Sequence, residues 1–480
     1  MIKTLKTFLV AVLLSGGTAF GQQAPAPFLP IPNPAQLRWH KAEYIMFVHF
    51  GMKTFYPSDN HMGTGDEDPN RFNPTQFNTD QWAKVAKEGG FKGMVLTTKH
   101  HDGFANWQTS TTDHGVASSA WRAGKGDVVR DLAKSCRKND LYFGLYVSII
   151  DHHFNKYGSP KHQSYGDYYF NQIEELSTKY GPIDEYWFDG FNADNLKMDY
   201  PKIGRMIVEK QPDAVVYDSG VLVNTIPDRC IAWPGNHGGI TPDQNYRQLI
   251  DGVMRWYPNE ASIILQGNWF HIGQPAVSLE KMKEYYLTSV GYGSTPLMNV
   301  SPNAQGLMDE TTEKTLIAFK SWVDQLHNSN PAFKKKATDD GHRGNSKKYA
   351  ASQVNDGDYN SYFATDDSDD KASITIDLGK KTKIDGFILQ EYIPLGQRVD
   401  EYSIECRVDG KWVEVFQGKK IGYKRIILAG AASAKDIQFP VSDAVRLHVN
   451  KSLACPLINN FQVIALGGID NQSLRSNPYK

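Results

Sequence analysis

The chain has 480 residues, of which 22% are charged and 12% aromatic, and its formal net charge is -1. That length exceeds one ordinary domain and allows at least one large core, so two domains are expected. A charge this close to balance argues against an electrostatic grip on nucleic acid or on an anionic membrane.

Met1–Gly21 carries Lys3 and Lys6, then the apolar run Phe8–Leu14, then small residues up to Gly21, the pattern of a cleaved secretory signal. The run is too short to span a bilayer, and no Cys follows it to take a lipid anchor. An exported protein, periplasmic or secreted and without a membrane span, is therefore expected. Residues 22–38 read as a leader, stiffened by the prolines of Pro25–Pro34. Cys136, Cys230, Cys406 and Cys455 form no Cys-x-x-Cys pair, which excludes a zinc ribbon. Export permits disulfides, and Cys406 with Cys455 reads equally as a bridge or as two buried thiols.

Residues 39–330 alternate short apolar runs with amphipathic segments. Ile45–Phe50, Gly93–Thr98, Tyr142–Ser148, Ile183–Asp189, Ala214–Asp218, Cys230–Trp233, Ser262–Gln266 and Thr295–Val300 read as strands. Thr79–Gly89, Asp127–Asn139, Tyr165–Tyr180, Tyr200–Gln211, Leu279–Val290 and Glu310–His327 read as helices. Eight strands alternating with helices predict an α/β architecture, a (β/α)₈ barrel. The sixth strand is cut short by Pro234-Gly235. Residues 331–350, with Lys334-Lys335-Lys336, read as a solvated linker. Residues 351–468 then show short alternating strands and no helical period, the mark of an all-β sandwich.

Polar and ionisable residues stand where barrel strands meet their loops: His49, His100-His101-Asp102, Tyr146 and Asp189. Asp189 closes a run of large β-favouring side chains, and Gly190 lets the chain leave sharply. The C-terminal ends of barrel strands collect catalytic groups, which suits Asp189 as nucleophile or base; an ordinary Asp-Gly cap is the plain alternative. Adjacent histidines in a strand point to opposite faces, so His100 and His101 do not ligate one ion without a bend, and no metal is expected. Hydrogen bonding to a hydroxyl-rich ligand fits neutral imidazoles better. No Gly-x-Ser-x-Gly elbow, phosphate loop or dinucleotide fingerprint is present. Carboxylates, imidazoles and indoles at a barrel mouth are the inventory of glycoside hydrolysis.

Phe47-Val48-His49-Phe50-Gly51, Leu96–Phe104 with its Lys99-His100-His101-Asp102-Gly103-Phe104, Lys125–Val129, and Tyr180–Gly190 with its Trp187-Phe188-Asp189-Gly190 resemble the signature segments of the α-L-fucosidases of glycoside hydrolase family 29. Gly65-Asp66-Glu67-Asp68-Pro69 resembles the branch that prefers α-1,3/1,4-linked fucose. The resemblance implies a retaining exo-hydrolase that needs no cofactor and acts on a fucosylated oligosaccharide or glycan. It implies Asp189 as nucleophile and His49, Glu67, His100, His101, Tyr146, Trp187 and Trp269 as residues holding the sugar. Tyr146 and Trp187 read equally as core residues.

The acid/base departs from the pattern. Relatives in that branch tend to carry it in a Gly-Asn-Glu segment, where this chain has Gly235-Asn236-His237. Glu260, just before the seventh strand, is the nearest alternative carboxylate, expected to reach across the mouth to the roughly 5 Å spacing of a retaining pair. His237 is the second candidate, with an unperturbed pKa of about 6.5. A residue not yet identified is the third.

In the second domain Leu389–Ile393, Gly396–Val399, Ile421–Arg425 and Val445–Leu447 resemble the discoidin-type (coagulation factor type C) module, for which both sugar binding and a purely structural role remain open. Two rival functions stand beside the main one: an α-L-galactosidase, since one extra hydroxyl is discriminated only about a hundredfold by a tolerant pocket, and a sugar-binding protein on a weakened catalytic barrel. Oligomeric state is not legible in the sequence.

Overall fold

The computed structural model describes residues 23–58, 60–190, 197–217, 222, 224–233, 237–239 and 245–467. The signal-like segment Met1–Gly21, and Gly235 and Asn236, lie outside them. Eight parallel strands, β1 (Ile45–Val48), β2 (Gly93–Lys99), β3 (Tyr142–Ser148), β4 (Glu185–Asp189), β5 (Val215–Tyr217), β6 (Cys230–Ile231), β9 (Glu260–Ile264) and β10 (Thr295–Asn299), pair in the order β6-β5-β4-β3-β2-β1-β10-β9. A parallel bridge between Ala232 and Asn259 brings the two ends together. The expected barrel is thus present. Its sixth strand is the shortest, two residues long, as the Pro-Gly break after it implies. Between β6 and β9 the chain inserts an antiparallel hairpin, β7 (Arg247–Ile250) with β8 (Val253–Trp256), that strand periodicity had not singled out.

Two-residue alternation sorts the barrel side chains into two cores. Ile45, Phe47, Val95, Tyr146, Trp187, Val215, Tyr217 and Leu297 fill the interior. Met46, Val48, Met94, Leu96, Tyr186, Phe188 and Val216 face the surrounding helices. Those helices include α2 (Thr79–Glu88), α3 (Val128–Lys138), α5 (Tyr165–Lys179), α6 (Tyr200–Lys210), α7 (Leu279–Thr288) and α8 (Glu310–Asn328), with the short α4 (His152–Tyr157) after β3. The apolar stripe Val128, Val129, Leu132, Ala133, Cys136 shows how they are held, and Asp127 caps α3 by accepting the Arg130 amide at 2.8 Å.

The leader does not stay extended to residue 38. It turns into helix α1 (Pro34–Ala42), because Asn33 and Gln36 form a reciprocal capping box and Pro34 takes the first helical position. The buried face of α1, Ala35, Trp39 and Ala42, joins the barrel's interior cluster with Ile45 and Leu297.

The second domain has a five-stranded sheet ordered β11-β13-β18-β15-β16 and a four-stranded sheet ordered β12-β19-β14-β17. Its strands are β11 (Ala337–Asp339), β12 (Phe363–Ala364), β13 (Ala372–Lys383), β14 (Gly386–Glu391), β15 (Val399–Val408), β16 (Lys411–Lys419), β17 (Arg425–Leu428), β18 (Val441–Ser452) and β19 (Leu457–Ile464). The segment read as a solvated linker is partly structural: Ala337–Asp339 pairs with β13, and Arg343 forms a two-pronged ion pair with Asp367. A three-residue strand with one apolar side chain is too short for periodicity to reveal.

In β14 and β17 alternate residues serve different partners. Phe387, Leu389 and Ile427 enter the sandwich core, while Ile388, Ile426 and Leu428 join the barrel's outer core with Tyr286, Val290 and Trp322. The Lys424 ammonium on the sandwich meets the Glu43 carboxylate behind α1. All four cysteines are buried and free, Cys406 and Cys455 included. Among the described residues no helix is long and apolar enough to cross a membrane.

Candidate active site

A cavity of about 150 Å³, the scale of one small ring, opens among the C-terminal ends of the barrel strands. Its lining includes His49, His100, His101, Tyr146, Trp187, Asp189, His237 and Trp269, so eight of the ten residues nominated from sequence meet in one place. Phe47, His61, Tyr217 and Trp233 complete it. Phe47 and Tyr217 were reachable from strand alternation. His61 sits in a loop with no periodic signal, and Trp233 stands in the stretch where the sixth strand breaks off.

Asp189 ends β4, and Gly190 after it has φ 125°, a conformation that favours glycine. A Cβ there would lie 3.0 Å from the Ile150 side chain, so the sharp exit is also sterically tight. The Tyr146 hydroxyl donates to Asp189 Oδ2 at 2.7 Å, and His101 Nε2 lies 3.3 Å from the same oxygen. Ser148 Oγ donates to the Ile150 carbonyl at 2.7 Å and accepts from His101 Nδ1 at 2.6 Å, which fixes the imidazole's orientation. Burial by itself raises the Asp189 pKa, but the bonds from His101 and Tyr146 and the charge of His101 outweigh it and hold the carboxyl below its ordinary value. Among the described residues both donors engage Oδ2, leaving Oδ1 for an incoming atom. The result is an ionised carboxylate with one oxygen held and the other open to the cavity.

The histidines around it differ in role. His49 Nδ1 faces Asn299 Oδ1 at 2.7 Å, and the Asn299 amide donates to the Trp269 carbonyl at 2.7 Å, so the amide's orientation is set and His49 must donate from Nδ1. Burial lowers the His49 pKa to about 3, so its Nε2 stays an acceptor for a hydroxyl. Burial likewise drives His100 well below the ordinary imidazole range.

The bend needed for His100 and His101 to face one ligand is present. Strand β2 ends at Lys99, the chain turns there with Gly103 N bonded to the His100 carbonyl, and the two rings lie 4.3 Å apart facing the same cavity. Lys99 points the other way, into a fully buried ion pair with Asp151 at 3.0 Å beneath the rings of Tyr165, Tyr168 and Tyr169. Aromatic stacking continues the pocket wall: Trp187 lies parallel to Tyr217 at 4.0 Å and to Tyr146 at 5.2 Å.

Two nominated residues are elsewhere. Glu67 does not line the cavity; its carboxylate accepts the Thr64 amide at 2.7 Å and the Gly65 amide at 2.8 Å. It braces the loop after His61, which docks on α4 where His153 Nδ1 donates to the Gly65 carbonyl at 2.8 Å. Glu260 does not reach across the mouth. It is the first residue of β9, at the opposite end of the barrel from Asp189, 1% exposed, and it accepts the Trp187 indole N–H at 2.8 Å and that of Trp39 at 3.3 Å. A strand's first residue and its last are separated by the height of the barrel, which sequence proximity to the mouth residues does not reveal.

His237 does line the cavity. Its Nδ1 pairs with Ser262 Oγ at 2.8 Å, and its ring lies edge-on to Trp269 at 5.1 Å. Partial burial lowers its pKa below the ordinary imidazole value, opposed by the Asp189 charge.

Asp102, third of the His-His-Asp run, is buried behind the pocket with Oδ1 accepting the Phe104 amide at 2.9 Å and no partner on Oδ2 among the described residues. Burial raises its pKa to about 8, the Phe104 bond opposing and the Glu67 and Asp151 charges adding. The folded state therefore holds a proton that the unfolded chain releases near pH 4, and stability falls as pH rises from about 4 to about 8. Asp102→Asn, which keeps the acceptor for Phe104, is expected to be more stable than the parent at pH 8 by a few kcal/mol, with the difference vanishing near pH 4. Chemical denaturation at the two pH values checks this.

Comparison with known proteins gives the family and the fold. Residues 32–328 match the alpha-L-fucosidase family and residues 334–458 the F5/8 type C domain. The chain is 32% identical to Alpha-L-fucosidase 1 of Arabidopsis thaliana over 486 residues, covering 95% of this chain and 92% of that one. The crystal structure of a putative alpha-L-fucosidase from Bacteroides thetaiotaomicron superposes with a TM-score of 0.83 at 30% identity, over 92% of this chain and 99% of the other. A Ruminococcus gnavus GH29 fucosidase in complex with fucose superposes with a TM-score of 0.84 at 25% identity, over 95% and 98%. The (β/α)₈ barrel with its ionised Asp189, followed by a discoidin-like sandwich, belongs to the alpha-L-fucosidase family of glycoside hydrolases.

Proposed function

We propose that the protein is an exported, exo-acting, retaining α-L-fucosidase that removes terminal α-1,3/1,4-linked L-fucose from oligosaccharides or glycans. The observation that carries the reading is Asp189, held ionised by His101 and Tyr146 at the wall of a cavity sized for one small ring. Acceptor and donor imidazoles around it suit a ring of hydroxyls, and the faces of Trp187 and Tyr146 suit its apolar edge. The first step forms a bond from Asp189 Oδ1 to the anomeric carbon while a proton passes to the departing glycosidic oxygen. In the second, water attacks that carbon and the carboxylate leaves.

His237 is the acid/base in this reading. Among the described lining residues Asp189 is the sole carboxylate. His237 is a solvent-exposed, titratable ring fixed through Nδ1 by Ser262, which leaves Nε2 for the proton transfer. The signal-like Met1–Gly21 supports export, and the Gly65–Pro69 segment supports the linkage preference.

The test is fucose release from a branched α-1,3/1,4-fucosylated trisaccharide, an α-1,2-fucosylated one and an α-L-galactoside, with the anomer formed first followed by NMR. Rapid release from the branched substrate, as the α-anomer, is expected. Faster release of galactose, or first formation of the β-anomer, would overturn the substrate or the mechanism respectively.

A further inference from the structure

One strand carries three inward layers of the barrel. Glu185 lies at the start of β4, Trp187 in its middle and Asp189 at its end, two residues apart and on the same face. Glu260 starts β9 at the level of Glu185, close enough that each carboxyl shifts the other's ionisation, and Glu185 Oε1 has no other partner among the described residues. Tyr142 donates to Glu185 Oε2 at 3.0 Å. Glu260 in turn accepts two indole N–H groups, from Trp187 and Trp39. Burial and the Glu260 charge push Glu185 well above the ordinary carboxyl range, and burial raises Glu260 too, to about 7, so Glu185 is the first of the pair to hold a proton and Glu260 is the member placed to accept from the two indoles.

From there the contacts run to the chemistry. The Trp187 ring lies 18° from parallel to Tyr146, and Tyr146 donates to Asp189 at 2.7 Å. A buried indole N–H needs an acceptor, and Glu260 supplies one oxygen to each of the two. Tilting Trp187 removes the surface on which Tyr146 rests.

We propose that Glu260, paired with Glu185 at the closed end of the barrel, is a positioning residue for the reaction: it anchors the Trp187 indole N–H and, through the Trp187–Tyr146 stack, sets the hydrogen bond to Asp189. This rests on Asp189 as nucleophile. It assigns Glu260 a role in which no proton passes to or from the substrate.

The experiment measures kcat and KM on an aryl α-L-fucoside for Glu260→Ala, Glu260→Gln, Trp187→Phe and the Glu260→Ala/Trp187→Phe double variant, with Asp189→Ala alongside. Glu260→Ala is expected to lose about a hundredfold, the scale of an ångström-sized misplacement, in kcat with KM changed less than about threefold. Glu260→Gln, which keeps an acceptor for Trp187, is expected to recover to within about fivefold of the parent. The double variant is expected to be no worse than Trp187→Phe alone. Additive losses, a loss confined to KM, a glutamine variant as impaired as alanine, or an alanine variant within twofold of the parent would each overturn the proposal. Restoration of the alanine variant by azide would return Glu260 to the acid/base role. If Glu260→Ala fails to fold by near-UV circular dichroism, Glu260→Met, apolar and of similar length, carries the same comparison. Turnover surviving in Asp189→Ala would instead sink the nucleophile assignment itself.

Discussion

Asp189→Ala is expected to lower kcat/KM on an aryl α-L-fucoside by on the order of 10⁴-fold or more, the scale seen when a member of a covalent catalytic unit is removed. The reason is the concentration of function on one carboxylate. His101 and Tyr146 spend their hydrogen bonds on holding it ionised, and among the described residues no second carboxylate lines the cavity to replace it. Because the truncated side chain leaves space, added azide should enter, attack the anomeric carbon once and yield a fucosyl azide of inverted configuration. Fucose affinity, measured by calorimetry, should persist, since His49, His100, Trp187 and Trp269 are untouched. An Asp189→Ala variant with parental rates would mean that turnover arises elsewhere and that the cavity only binds sugar.

The second large effect concerns proton transfer. His237→Ala is expected to lower kcat/KM by roughly 10² to 10⁴-fold on a natural oligosaccharide, whose leaving group needs protonation, and far less on an aryl fucoside with an acidic leaving group. The pH profile carries a second signature. The parent's kcat/KM should rise with ionisation of Asp189, whose pKa is depressed, and fall as His237 loses its proton below its ordinary value of about 6.5. The optimum is therefore acidic, and the alkaline limb should disappear in His237→Ala. Among the described residues the groups facing His237 are Ser262, Trp233, Trp269, the Asp189 charge and His61, and of these His61 is the one that titrates near this range. Equal losses on both substrates with the alkaline limb intact would move the role to another lining residue, of which His61 is the remaining half-buried imidazole that faces the Asp189 charge.

Much of the site was legible before any coordinates. Asp189, Tyr146, His49, His100 and His101 stand where strands meet their loops, whereas Trp187 was named only by the family resemblance and alternation left it and Tyr146 equally readable as core. Glu67 and Glu260 show the limit of such reading. Each is a carboxylate near the right segments, yet Glu67 spends both oxygens on its own loop and Glu260 stands at the far end of its strand. A motif shows that a residue is needed without showing whether it touches substrate or supports something that does.

The hydrophobic periodicity of residues 39–330 was enough to specify eight strands, their alternation with helices and thus the barrel, because a two-residue and a 3.6-residue repeat are written directly in side-chain order. It specified too that a separate β-rich domain follows. Tertiary structure alone decided which carboxylates reach the pocket, that two neighbouring histidines share one cavity, that the leader becomes a helix packed on the barrel's interior core, and that Glu185 and Glu260 meet under Trp187. These depend on the height and closure of the barrel and on loops that bend without a repeat. Contacts between residues 75 positions apart, such as Glu185 and Glu260, leave no trace in local pattern.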